Sequence, residues 1–224
     1  MTRPKGHVAD LSVEAWHADL DAVAAAIREP CFVLLGLSQG GALAIACALR
    51  HPERVSHLVL LNAYAQGKRV RARTEAERLE AAEMLVNFVR IGWGCDNPAF
   101  CKFFTNLFIP DGLSEQHFWW GDLEWVTASA EVAAELLSQM QGIDVSDLAP
   151  QLHVPTLVAH CRSDMRLPFD EGCRLAAAIP GRIRRPSWPK PVRAVARDPR
   201  RRTDARRSCP AEPRCRGARQ SGDR

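Results

Sequence analysis

Two kinds of apolar pattern alternate along the first third of the chain. Between Asp10 and Arg28, Val13, Trp16, Leu20, Val23 and Ile27 recur every three or four residues. That spacing predicts an amphipathic helix, with Asp10 or Ser12 able to cap its start. Glu29-Pro30 ends it. Cys31 to Gly36 is continuously apolar, the pattern of a short strand buried on both faces. An Ala- and Leu-rich helical segment follows and stops before His51-Pro52, and Val55 to Asn62 forms a second apolar strand.

The middle of the chain returns to helical spacing. Thr74–Trp93 carries Leu79, Met84, Leu85, Phe88 and Ile91 among charged residues. Asn97–Ile109, Ser114–Thr127 and Ala130–Met140 continue the pattern, rich in Phe and Trp. Beyond them, a short helix leads into a strand at Thr156–His160, and a last helix spans Phe169–Ile179 before Pro180-Gly181. Strands alternating with helices predict an α/β fold with parallel strands.

Between the first strand and its helix lies Gly36-Leu37-Ser38-Gln39-Gly40-Gly41. A strand, a tight glycine-flanked turn bearing a serine, and a helix form a nucleophile elbow. A serine hydroxyl attacks poorly unless it is held exposed beside a base, on a turn too sharp for bulky neighbours. Gly36 and Gly40 are expected to remove Cβ atoms that would clash there. The helix N-terminus behind Ser38 offers free N–H groups and a positive dipole end to a developing oxyanion. The bland alternative is a serine in an ordinary βα turn.

Leu35 to Ala63 (LGLSQGGALAIACALRHPERVSHLVLLNA) closely resembles the elbow, following helix and next strand of the α/β-hydrolase superfamily, in its ester- and lactone-cleaving branch. The resemblance covers about residues 8–181. It implies that residues 1–66 are part of the hydrolase core, that 67–143 form a helical cap, and that 144–181 return to the core. Under it, Ser38 is the nucleophile and the Gln39 backbone N–H is one oxyanion donor. Asp164, after the strand Thr156–His160 and shortly before Leu167-Pro168, stands where the family carries its triad acid. The competing reading makes Asp164 a turn or helix-capping aspartate. The cap aromatics either line an apolar acyl pocket or pack the cap against the body, and packing is the expectation for most.

The pattern departs from the family at both ends. Only 37 residues precede Ser38, too few for the family's earlier strands and its second oxyanion loop, so the chain is expected to be truncated or to carry a misplaced start. The triad histidine should follow the acid, yet the seven histidines (7, 17, 51, 57, 117, 153 and 160) all precede Asp164. His57 and His160 sit in strands and are read as structural. No catalytic histidine is found, so weak or no turnover is expected, with a non-catalytic remnant or small-ligand module as the alternative.

Charge separates the ends further. Residues 182–224 hold fourteen arginines and Lys190 against four acids, a net +11 that leaves the rest at −7. This Arg/Pro-rich tail lacks periodicity and is expected to be disordered. With GC-rich codons assumed for 182–189, a neighbouring frame can encode a strand-like string, and Arg/Pro/Ala-rich text is typical of out-of-frame GC-rich coding sequence, so a frame change near Gly181 is preferred to a selected nucleic-acid-binding tail. The eight cysteines show no metal-ligand spacing, no cofactor motif is present, and no apolar run suits a signal peptide or membrane span. These features predict a cytoplasmic protein with no metal, cofactor or membrane partner and disfavour a nucleic-acid partner, and the resemblance implies a small ester-like substrate.

Overall fold

The computed structural model describes residues 10–93 and 98–180. The tail 182–224 and His7 lie outside them. The elements run α1 (Val13–Ala26), β1 (Phe32–Leu37), α2 (Gly40–Arg50), β2 (Val55–Leu61), α3 (Lys68–Arg71), α4 (Glu75–Gly92), α5 (Pro98–Phe108), α6 (Ser114–Thr127), α7 (Ala130–Gly142), a 3-10 turn (Ala149–Gln151), β3 (Thr156–Ala159) and α8 (Phe169–Ala178).

Local chemistry sets the helix starts. Ser12 caps α1, its hydroxyl accepting from the Ala15 N–H at 3.2 Å, while Asp10 accepts from the Ser12 N–H at 2.8 Å. Thr74 and Ser129 cap α4 and α7 in the same way. The strands form a parallel sheet in the order β1-β2-β3. Its register pairs Leu37 with Leu61 and Leu61 with Ala159, so all three strands end level.

One face of the sheet is covered. Leu58 and Leu60 of β2, with Phe32 and Leu34 of β1, join Ile45, Ala44 and Ala48 of α2 and Val13 and Trp16 of α1 in the main apolar cluster. Leu175 of α8 and Ile179, directly after that helix, close it. Burying each large side chain of this kind stabilises the fold by about 1.5–3 kcal/mol. Asp21 ties α1 to the end of α2 through Arg50 at 2.9 Å and His51 at 3.3 Å.

The opposite face corrects the expectation of an interior strand. Val33, Leu35 and Leu37 are 61%, 59% and 56% exposed, and among the described residues β1 is an edge strand paired only to β2. A continuous apolar run records what a strand is built to bury, but only Phe32, Leu34 and Gly36 meet a described layer.

The helices between β2 and β3 build a second apolar cluster from Val86, Val89, Phe100, Phe104, Ala133, Ala134 and Leu137. Aromatic rings hold it together, with Phe88 against Phe100 at 4.7 Å and Trp93 edge-on to Phe104 at 5.4 Å. The aromatics divide between two environments. Phe100 and Phe104 are buried, whereas Phe118 and Trp119 are 72% and 60% exposed. Among the described residues no helix is long and apolar enough to cross a membrane.

Candidate active site

The turn from β1 into α2 is tight because of what its glycines face. A Cβ on Gly36 would lie 2.7 Å from the Gly41 Cα and 2.8 Å from the Ala44 Cβ. Gly41 in turn packs on Ala63. Gly40 differs from the expectation, since no described atom lies within 4 Å of its would-be Cβ. The close approaches of the strand–helix crossing fall at Gly36 and Gly41, one residue beyond the motif's last glycine.

Ser38 sits at the apex with φ 52°, in the left-handed region that a non-glycine residue rarely adopts. Such a conformation costs about 1–2 kcal/mol and persists only where its surroundings impose it. Two bonds do so here. The Ser38 N–H donates to the Leu61 carbonyl at 3.0 Å, and the Ser38 carbonyl accepts from the Gly41 N–H at 3.0 Å. Gln39, half-helical, leads into α2, and no hydrogen bond among the described residues occupies its N–H.

One strand over, Asn62 repeats the arrangement. It follows Leu61 as Ser38 follows Leu37, has φ 48°, and donates its N–H to the Ala159 carbonyl at 2.9 Å. Its side chain reaches past the end of β3, where the Cys161 N–H donates to Oδ1 at 2.9 Å and Nδ2 donates to Asp164 Oδ2 at 2.8 Å. The other carboxylate oxygen, Oδ1, accepts from the Arg166 and Leu167 N–H groups at 2.7 and 2.8 Å. Asp164 is therefore a turn aspartate through one oxygen and is held through the other by Asn62, directly after β2. Ser38, Asn62 and Asp164 share the C-terminal edge of the parallel sheet, where ligand sites of open α/β sheets form.

Asn62 did not stand out in the sequence. The available signal was its type: an Asn directly after an apolar strand, a residue that tolerates the left-handed region and carries both a donor and an acceptor.

No described histidine is hydrogen-bonded to Ser38 or Asp164. His160 turns into the body, its Nε2 against the Leu167 carbonyl at 3.0 Å, and a Cβ on Gly172 would strike its ring. His57 pairs in register with Val33 and is exposed. His117 bonds the Ile109 carbonyl at 2.8 Å, and burial lowers the pKa of His17. Two residues after Asp164, Arg166 lays its guanidinium over the Phe108 ring of α5 at 5.4 Å. Desolvation lowers the Arg166 pKa, and burial pushes the neighbouring Tyr64 hydroxyl up to about 12. A cleft of about 320 Å³ lined by Lys68, Arg71, Glu77, Glu80, Glu171 and Arg174 includes neither Ser38 nor Asp164. Among the described residues no group of three or more His, Cys, Asp or Glu could hold a metal ion.

The sequence from residue 2 to 196 matches the model of the alpha/beta hydrolase family. A pyrrolizixenacetamide deacetylase of Xenorhabdus hominickii is 28% identical over 181 residues, 76% of this chain and 62% of the relative. The fold is similar to that of an esterase from Exiguobacterium antarcticum, with a TM-score of 0.65 and 22% identity over 77% of this chain and 64% of that one. It is also similar to an enol-lactonase from Burkholderia xenovorans LB400, with a TM-score of 0.56 and 21% identity over 76% and 62% of the two chains. The chain thus spans less than two thirds of the length of these relatives. With the elbow, the parallel sheet and a family match over most of its length, this chain belongs to the alpha/beta hydrolase family.

Proposed function

We propose that the chain carries the nucleophile and acid of a serine hydrolase acting on an ester- or lactone-type carbonyl. Ser38 Oγ attacks the carbonyl carbon, and a base takes its proton. The Gln39 N–H donates to the oxygen as it gains charge, the alcohol leaves with a proton returned by the base, and water hydrolyses the acyl-serine. Asp164 orients that base and stabilises its protonated form. Residues 67–143 act as a cap over the sheet edge, with Arg166 and Phe108 linking it to the acid's turn. The observation that supports this reading best is the left-handed Ser38 at the head of α2, on the same sheet edge as Asp164.

A second reading draws on the absence of any described histidine beside the pair. Without a base, turnover in this chain is slow or nil, and the fold serves as a remnant or holds a small apolar ligand. Stopped-flow hydrolysis of p-nitrophenyl acetate separates the two. A burst of p-nitrophenol that is lost in Ser38→Ala supports the acyl-enzyme, and identical traces for parent and variant favour the remnant.

A further inference from the structure

We infer that Asn62 is the positioning residue for Asp164, a role that rests on the reading of Asp164 as the acid. The amide orientation follows from its two partners. The Cys161 backbone N–H can only donate, so the atom facing it is Oδ1. The remaining atom, Nδ2, then faces the Asp164 carboxylate, which accepts from it at 2.8 Å. A single side chain thus holds the turn at its beginning and the carboxylate at its end.

The backbone makes this reach available. Residue 62 is anchored by its own N–H to Ala159 and turned by φ 48°, which lifts the side chain off the strand line toward the β3 turn. Asn is among the few non-glycine types that adopt this conformation readily. With Arg166 and Leu167 occupying Oδ1, the Asn62 bond leaves Oδ2 with one free direction. A base bound by Asp164 must come along that direction. Asn62 directly follows β2, the strand between β1, which leads to Ser38, and β3, which leads to Asp164, so it fixes the acid relative to the nucleophile.

The test uses the full chain and the variant Asn62→Gly, which keeps the left-handed backbone and deletes only the side chain. A fluorophosphonate labels Ser38 with added imidazole as the base, and Asp164→Ala serves as the reference for a lost acid. The expected result is an imidazole-dependent labelling rate reduced roughly 10- to 100-fold in Asn62→Gly. The imidazole-independent rate and the half-saturating probe concentration stay at parental values. Amide exchange at Cys161, Arg166 and Leu167 is expected to quicken about fivefold or more.

An unchanged response to imidazole overturns the inference. So does an equal fall in the imidazole-independent rate, which would place Asn62 in support of the Ser38 turn instead. If the parent is not labelled even with imidazole, the Ser38 reading fails by itself. The exchange measurement then decides the role of Asn62, with unchanged protection at the three amides refuting it and faster exchange supporting it.

Discussion

Gly36 and Gly41 face each other across the junction of β1 and α2, so closely that a Cβ on Gly36 would sit 2.7 Å from the Gly41 Cα. The contact is backbone against backbone, which no rotamer change can relieve. It lets α2 lie directly on the strand and sets the turn that carries Ser38. Gly36→Ala is therefore expected to lower stability by about 2–4 kcal/mol, through overpacking and displacement of α2. Gly40→Ala, opening onto space, is expected to stay within about 1 kcal/mol of the parent and can be slightly stabilising at the first turn of a helix. Urea unfolding of the two variants beside the parent checks the contrast, and equal losses would place the close approach elsewhere.

Glu171 is buried, with Arg71 of α3 at 3.0 Å and Arg174 of its own helix at 2.6 Å. Arg71 is largely covered and Arg174 mostly exposed, so the two ion pairs differ in weight. Glu171→Ala leaves a covered guanidinium without its counter-ion and is expected to cost about 2–4 kcal/mol. Arg174→Ala removes a solvent-screened partner and is expected to cost under about 1 kcal/mol. Thermal unfolding of each variant reads the difference.

Glu124 of α6 is buried with a single side-chain donor, the Trp120 Nε1–H at 2.6 Å. Burial raises its pKa from 4.5 to about 7, against the opposing hydrogen bond. The folded chain therefore holds this proton more tightly than the unfolded chain does. Its favourable contribution is fully present below pH 4.5 and is lost as pH rises toward about 7. With solvent screening allowed for, the change is roughly 1 kcal/mol. Glu124→Gln is expected to flatten that part of the stability–pH curve, as measured by melting temperature between those limits. A variant curve parallel to the parent's would assign the slope to other groups.

The two kinds of apolar run mark the elements with little displacement. Cys31–Gly36 and Val55–Asn62 appear as β1 and β2, and the periodic stretches from Thr74 to Met140 appear as α4 to α7. These patterns are local, set by which residues a strand or a helix must bury. What covers a strand is not local. Val33 and Leu35 read as buried because a continuous apolar run does not say whether a layer lies on each side. The elbow glycines were half legible: the motif marks Gly36 and Gly40, whereas the packing constraint falls on Gly36 and Gly41.

At the site, Ser38 and Asp164 were candidates from the elbow and from the resemblance. Asn62 was not, because its role depends on a bond to a residue 102 positions away and on a register that only the folded sheet specifies. Ser38 and Asn62 share a left-handed backbone, each directly after its strand, and Leu37 and Leu61 before them pair in register. No spacing rule within either segment reports that.

The most direct measurement is the mass-mapped site of fluorophosphonate addition in the full chain, with imidazole present. A nucleophilic role for Ser38 requires an adduct on the peptide containing it, absent from Ser38→Ala and formed more slowly in Asp164→Ala. An adduct elsewhere, or equal labelling of the parent and Ser38→Ala, would contradict it.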